Sequence, residues 1–411
     1  MSEYRDHHYV PIWYQKRFLS EKNRGNRYFY LDLHPEVVSN HGHVYTRRSL
    51  LKWGPSNCFS QNDLYTTKFH GWESTEIESR FFGKIDDFAP SAINFIEQFQ
   101  YKGFSDKDFY NLFLYLTTQK IRTPKGLSQF QKLVDLKDRN DVLIEMQRLQ
   151  NLFSAIWSEC VWCIADASNS DTKFIVSDHP VTVYNKGCPP NMRFCKGDKD
   201  PHIWLNGTHT ILPLSLNKIL IFTNLSWLRN PYSNPLERRP HPVLLRDAAP
   251  FNWTNIQTQR MLSEEEVIEI NYVIKSRAKR YIAAANKEWL YPEDTLGEKR
   301  WENLGNGYLF MPEPRIVQYS TETGIGYSKG YSEAFDPYGR KKGHREYGKE
   351  KEDDIEWASF QLHQCEFARV FGPNHRAKNM TMLELSKDDG PEYHQHLLDS
   401  EERYREQLGY R

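Results

Sequence analysis

The chain has 411 residues and carries 54 Lys and Arg against 54 Asp and Glu. That balance excludes a global electrostatic field for nucleic acid, so any such site has to be a local patch. The length exceeds one minimal core, and 14 % aromatic residues with a mean hydropathy of −0.75 describe a polar but globular chain, not a disordered one.

No run of 18 apolar residues is present, so no transmembrane helix is expected. The N-terminus lacks the basic and apolar regions of a secretory signal. Six cysteines (58, 160, 163, 188, 195, 365) are too sparse for a disulfide framework, and a reducing, cytoplasmic setting is expected.

Residues 7 to 18 hold two histidines, a proline and four aromatics, which is dense for a chain end. Arg27 to Leu33 reads as an aromatic-rich strand, and His43 to Leu51 as a second. Thr75-x-x-Glu78 has the form of a capping box. Ile77, Phe81, Ile85, Phe88, Ile93, Ile96 and Phe99 continue it as a helix that Pro90 should kink. Ser105-x-x-Asp108 opens another helix, which Pro124 ends. A third is expected from about Asp141 to Ala167. The middle turns to β character at 173–177, 181–184, 208–212 and 218–223, with a long loop at 186–207. Ser263-x-x-Glu266 caps a helix expected to reach about Leu290. From about Thr295 glycines and charged runs dominate, with further helices expected near 353–371 and after Pro391.

His8, Tyr9, Val10, Pro11, Tyr14 and Phe18 spell His-Tyr-Val-Pro-x-x-Tyr-x-x-x-Phe. In order behind it stand Asp63-Leu64-Tyr65, Ile77-Glu78, Gln119-x-x-Arg122-Thr123-Pro124, Ser177-Asp178-x-Pro180-Val181 and Leu212-Pro213-Leu214-Ser215. Together these pieces resemble a microbial family catalogued as the domain of unknown function four-two-three-eight, over roughly residues 7–290. The family label implies no activity. Such orphan families are associated with microbial defence and toxin systems.

Four polar residues come from separate pieces of that resemblance. His8 can serve as acid/base near neutral pH, or be a hydrogen-bonded core ring. Tyr115, Gln119 and Arg122 share one helical stripe that should border the apolar face of Leu112 and Leu116. Arg122 suits a phosphate and Gln119 an orienting role, or Arg122 simply anchors the helix end. Asp178 with His179 follows a strand, where the carboxylate can hold a metal or cap its own turn. Glu76 and Glu78 can join a carboxylate cluster, though Glu78 is expected to be spent on the capping box. Cys160-x-x-Cys163 reads as core thiols on a helix. The basic run 340–345 is offset by the acidic run after it. No phosphate loop, dinucleotide fingerprint or nucleophile elbow is present.

The fold class is α+β and helix-rich, with long helices packed on a small mixed or antiparallel sheet. Residues 1–292 should form the family-like core and 293–411 a Gly- and charge-rich connector with a C-terminal helical extension. The function expected is phosphodiester cleavage, nuclease-like. His8 acts as acid/base, Arg122 binds phosphate, Gln119 orients, and Asp178 supports a metal or the His. Tyr9, Tyr14, Tyr65 and Tyr115 are the candidate substrate-binding residues, and a divalent metal ion the candidate cofactor. The alternative is a non-catalytic module that recognises nucleic acid or a partner protein through the N-terminal aromatics, including Trp13, and residues 293–411. A third reading makes the same residues a network that locks the N-terminus onto the helix 105–122.

Overall fold

The computed structural model describes residues 5–20, 26–40, 43–69, 72–100, 103–192, 195–203, 208–224 and 256–305, and the backbone of 325–326 and 332–333. In chain order the first elements are β1 (Asp6–His8), α1 (Ile12–Lys16), β2 (Tyr28–Asp32), β3 (Val37–Asn40), β4 (His43–Thr46), β5 (Leu50–Trp53), β6 (Ser60–Asn62), β7 (Thr67–Phe69) and β8 (Trp72–Ser74). A π-helical turn (Ile77–Phe82) leads into α2 (Gly83–Glu97), followed by α3 (Asp106–Arg122), α4 (Pro124–Val134), α5 (Arg139–Arg148) and α6 (Ser154–Glu159). Then come β9 (Val161–Asp166), β10 (Val176–Ser177), β11 (Thr182–Tyr184), β12 (Thr208–Pro213), β13 (Lys218–Asn224), β14 (Gln257–Met261), α7 (Glu264–Arg277) and β15 (Tyr281–Ala284). Ile325–Gly326 and Ser332–Glu333 form a last, isolated antiparallel pair.

The architecture is α+β. One sheet runs β11-β12-β13-β9-β14, antiparallel except where β14 lies parallel to β9. The other runs β10-β15-β2-β5 and is antiparallel throughout. Its central strand β15 comes late in the chain and pairs with β2, so the N-terminal strand and the end of the family-like core close on each other. The element β1 pairs with β6, which holds the histidine segment in the body of the fold.

Helix α3 sits inside, packed by α2, α4 and α6. Ser105 and Asp108 close the expected capping box at its start. From Tyr115 to Arg122 all eight consecutive residues are buried. A helix buried all round has no wet face, so the expected rim position of Gln119 and Arg122 is corrected: the polar stripe is interior.

Several boundaries differ from the sequence reading. Thr75 and Glu78 make no side-chain cap. The segment instead starts as a π turn, and Pro90 is carried inside an unbroken α2. The helix expected over 141–167 is two helices, α5 ending at Arg148 and the short α6 ending at Glu159, and Val161 to Asp166 is a strand paired on both sides. Its β-branched and aromatic residues fit a two-sided strand better than their helical spacing fits a helix. Cys160 and Cys163 therefore lie at a strand, and both are free thiols. Likewise α7 stops at Arg277, and Tyr281 to Ala284 joins the sheet. The strand expected over 43–51 is two strands, β4 and β5, with separate partners.

Trp301 and Leu304 are buried, and the Tyr184 hydroxyl donates to the Trp301 carbonyl at 2.8 Å and the Leu304 carbonyl at 3.0 Å. The packed body thus runs past residue 292 to at least 305. The basic run 340–345, the helices expected near 353–371 and after Pro391, and Cys365 lie outside the described residues. Among the described residues, no helix is long and apolar enough to cross a membrane.

Candidate functional site

The last turns of α3 carry two buried ionisable clusters. The first is built on Gln119 and Arg122. Residues three apart on a helix are neighbours, and Arg122 Nε donates to Gln119 Oε1 at 2.8 Å. The other end of the amide donates to the Tyr9 carbonyl at 3.0 Å, tying α3 to the exit of β1. Arg122 Nη1 donates to both oxygens of Asp86 on α2, at 3.2 and 3.1 Å. The guanidinium carbon lies 5.5 Å from the Phe82 ring centroid, within cation–π range. The Tyr65 hydroxyl donates to the Arg122 carbonyl at 2.6 Å.

This cluster reaches water at one side. Arg122 is 1 % exposed, but the Asp86 side chain is 27 % exposed. Trp13 is half-buried and its indole N–H points at Asp86 Oδ1 from 3.4 Å. Glu78 comes from the π turn. Such turns recur at functional sites. Burial pushes its carboxyl up to about 7, against the pull of Arg122 and with Asp86 adding to the rise. Glu78 Oε2, Arg122 Nη2 and the Tyr115 hydroxyl have no hydrogen-bond partner among the described residues. The cluster therefore joins a carboxyl poised near neutrality, the Asp86 carboxyl bonded to Arg122, and a guanidinium with one unused nitrogen.

The expected residues divide. Gln119, Arg122, Tyr9, Tyr65 and Tyr115 do meet. His8 does not join them by any described bond: its Nε2 lies 3.2 Å from the Ser56 carbonyl. Its neighbour His7 does reach the cluster. His7 Nδ1 accepts the Tyr65 backbone N–H at 2.9 Å, which leaves the ring proton on Nε2 when the ring is neutral. The two rings stack with centroids 5.4 Å apart. Asp178 accepts the backbone N–H groups of Lys279 at 2.8 Å, Arg280 at 2.6 Å and Tyr281 at 2.9 Å. It thus fastens the turn between α7 and β15. Burial raises its pKa and the three donors oppose the rise.

The expected aromatic binding surface is corrected by burial. Tyr9, Tyr14, Tyr65 and Tyr115 are 3 %, 0 %, 0 % and 0 % exposed, so none offers a ring face for stacking. Tyr14 instead donates to the Pro213 carbonyl and packs on Phe18 and Trp13.

The second cluster lies beyond the α3–α4 junction. Thr123 Oγ1 accepts the Gly126 N–H at 3.0 Å as the cap of α4, and its proton is left for His179 Nδ1 at 2.7 Å. His179 Nε2 faces Asp200 Oδ2 at 3.4 Å. Lys125 donates to Asp200 Oδ1 and to the Arg277 carbonyl, each at 2.7 Å, and Gln129 donates to Asp200 Oδ2 at 2.9 Å. Burial lowers the His179 pKa to about 4, Asp200 opposing and the lysines adding, so the ring is neutral. Burial also resists ionisation of Asp200, but Lys125, His179 and Lys120 outweigh it and hold the carboxyl well below its ordinary range. Lys120, Lys125, Asp200 and Arg277 were not legible as a group. The lysines flank the Gln119–Pro124 motif, but nothing local marks Asp200 or Arg277. Nothing in the sequence around Asp86 marks it as the partner of Arg122, and the Thr75–Glu78 spacing that suggests a cap conceals the burial of Glu78 beside Arg122.

Among the described residues, no group of three or more His, Cys, Asp or Glu is arranged to hold a metal ion.

The fold and the paired interior clusters define an α+β protein organised around one buried, charge-bearing helix. The chain belongs to the family described as Protein of unknown function (DUF4238), whose model matches residues 6–288. That span contains every charged residue of both clusters. No curated protein and no solved structure matches the chain.

Proposed function

We propose that the protein is a phosphodiester-cleaving, nuclease-like hydrolase of the kind used in microbial defence, working at Glu78, Asp86 and Arg122. The observation that carries the reading is a carboxyl near pKa 7 beside a buried guanidinium with an unused nitrogen. A carboxyl whose pKa lies near the working pH can serve first as general base and then as general acid, and Glu78 is such a group. Arg122 Nη2 would hold a phosphate oxygen. Gln119 keeps the guanidinium in orientation through Nε. Glu78 would take the proton from the attacking water as its oxygen bonds to phosphorus, and would return that proton to the leaving oxygen as the phosphorus–oxygen ester bond breaks. Glu78 thus replaces His8 as the acid/base of this reading. A divalent metal ion, where bound, would take its carboxylate ligand from Asp86, leaving Glu78 free as the base.

A second reading is favoured by the burial of the motif. His8, Gln119, Arg122 and Asp178 are all less than a tenth exposed, and Gln119 and Asp178 are fully engaged with backbone or neighbours. In that reading they form a network locking the N-terminus and the α7–β15 turn onto α3. Recognition of a partner protein would then fall to residues 293–411.

Purified protein is incubated with labelled single-stranded DNA, duplex DNA and total RNA, in Mg²⁺, Mn²⁺, Zn²⁺ or EDTA, beside Glu78→Gln. The nuclease reading expects cleavage by the wild type, with an ionisation near pH 7 that disappears in the variant. Intact substrates in every lane, with the protein folded, would move the weight to the structural network.

A further inference from the structure

The second cluster carries more positive charge than it spends. Among the described residues, Lys120, Lys125 and Arg277 surround one fully buried carboxylate, Asp200. They are 6 %, 2 % and 2 % exposed, and the Asp200 side chain 3 %. Asp200 is already bonded to Lys125 and Gln129 and faces His179. His179 is neutral and cancels nothing. Two other acids lie nearby: Asp178, which Lys125 also attracts and which is spent on the backbone N–H groups of the α7–β15 turn, and Asp198, which pairs with Lys279 at 3.1 Å at the half-exposed edge.

Lys120 Nζ is buried with no hydrogen-bond partner among the described residues, and so is Arg277 Nε. Arg277 spends its other nitrogens on the Cys188 and Cys195 carbonyls, and its guanidinium carbon lies 4.8 Å from the Trp301 ring centroid. Lys120 Nζ lies 6.0 Å from the Phe153 ring centroid, and the charge of its ammonium acts on Asp200, Lys125, Arg277, His179 and His202. Burial pushes that ammonium down only to about 8, so it remains mostly charged at neutral pH. Buried cations are normally paired. Two unused donors and an excess of positive charge in one buried group are the complement of an oxyanion. His202 is exposed between buried Pro201 and Ile203, so the segment covering the cluster meets solvent there.

We propose that Lys120, Lys125 and Arg277 form a buried anion site that takes a phosphate group, either free or at the end of a small nucleotide. Lys120 Nζ and Arg277 Nε donate to its oxygens, and Lys125 supplies charge while held by Asp200. The site lies apart from Glu78 and Arg122 and does not rest on the hydrolase reading.

The test is a melting and calorimetric titration of the full chain at constant ionic strength. The titrants are inorganic phosphate and adenosine monophosphate, with chloride as control, for wild type, Lys120→Met and Glu78→Gln. In chloride, Lys120→Met should melt higher than the wild type, because it removes an unpaired buried charge and keeps the stem. Phosphate or the nucleotide should raise the wild-type and Glu78→Gln melting points in a saturable way, and weaken at least tenfold in binding to Lys120→Met. A response to phosphate alone identifies the free ion, and a stronger response to the nucleotide identifies its terminal group. The proposal is overturned by no saturable response to either anion in the wild type, or by the same response in Lys120→Met. Because the readout is binding, its failure is separate from failure to cleave nucleic acid.

Discussion

Gln119 Oε1 accepts Arg122 Nε at 2.8 Å while the same amide donates to the Tyr9 carbonyl at 3.0 Å. One neutral side chain thus joins the histidine-bearing N-terminal segment to the only charge of its helical stripe. Truncating it leaves a carbonyl and a guanidinium N–H unpaired in the interior. Gln119→Ala is expected to lose about 2–6 kcal/mol, from two buried groups at about 1–3 kcal/mol each. Urea unfolding measures it. A loss below about 0.5 kcal/mol would mean that the bridge is not a strut of the fold.

Glu78 gives a pH signature. Its folded pKa of about 7 lies above the ordinary value of 4.5. Both states are protonated below about pH 4.5, where burial of the neutral acid carries no penalty. As pH rises from there through about 7, the unfolded chain ionises more readily, and stability is lost. The full penalty is at most about 3 kcal/mol, at 1.36 kcal/mol per pKa unit. Glu78→Gln should therefore match the wild type near pH 4.5 and exceed it above pH 7. Equal stabilities at pH 8 would show that Glu78 ionises normally.

Asp178 is expected to matter for folding before chemistry. Its carboxylate gathers three backbone N–H groups where the chain leaves α7 for the central strand β15. Asp178→Ala should cost about 3 kcal/mol or more, since hydrogen bonds to charged groups are worth about 1.5–3 kcal/mol each. Asp178→Asn should recover part of this by keeping one acceptor. Stability curves of the two variants check the order; a reversal would remove the turn-fastening role.

Gly126 marks the closest approach between helices α3 and α4. A Cβ built there would stand 2.0 Å from the Lys120 carbonyl oxygen and 2.7 Å from that of Ile121. Backbone cannot yield as a flexible side chain does. Gly126→Ala should destabilise by about 1–3 kcal/mol or more by overpacking, despite the better helix propensity of alanine. It should also disturb the Thr123–His179 contact, visible in the histidine ring resonances. A stable variant with unchanged resonances would show that α4 can move away freely.

Local chemistry sufficed for the elements whose ends announce themselves. Ser105 with Asp108 and Ser263 with Glu266 close their capping boxes as the sequence reads, because a cap is settled within one helical turn. The order of the short motifs likewise identified the family, and their spread over the chain fits an α+β class. The tertiary structure decided what sits in the middle of a sheet. Val161 to Asp166 and Tyr281 to Ala284 have apolar spacings compatible with a helix, and only strand partners on both sides make them β. It also decided the fate of the polar residues. Gln119 and Arg122 read as a wet stripe until α2, α4 and α6 close around α3, which no local pattern encodes. Glu78 fits a cap by spacing, yet the π turn buries it beside Arg122. The charges of Asp200 and Arg277 meet Lys120 and Lys125 across 75 and more residues of chain. Electrostatic environment depends on distance in space and on exclusion of water, and the sequence fixes neither until the fold has closed.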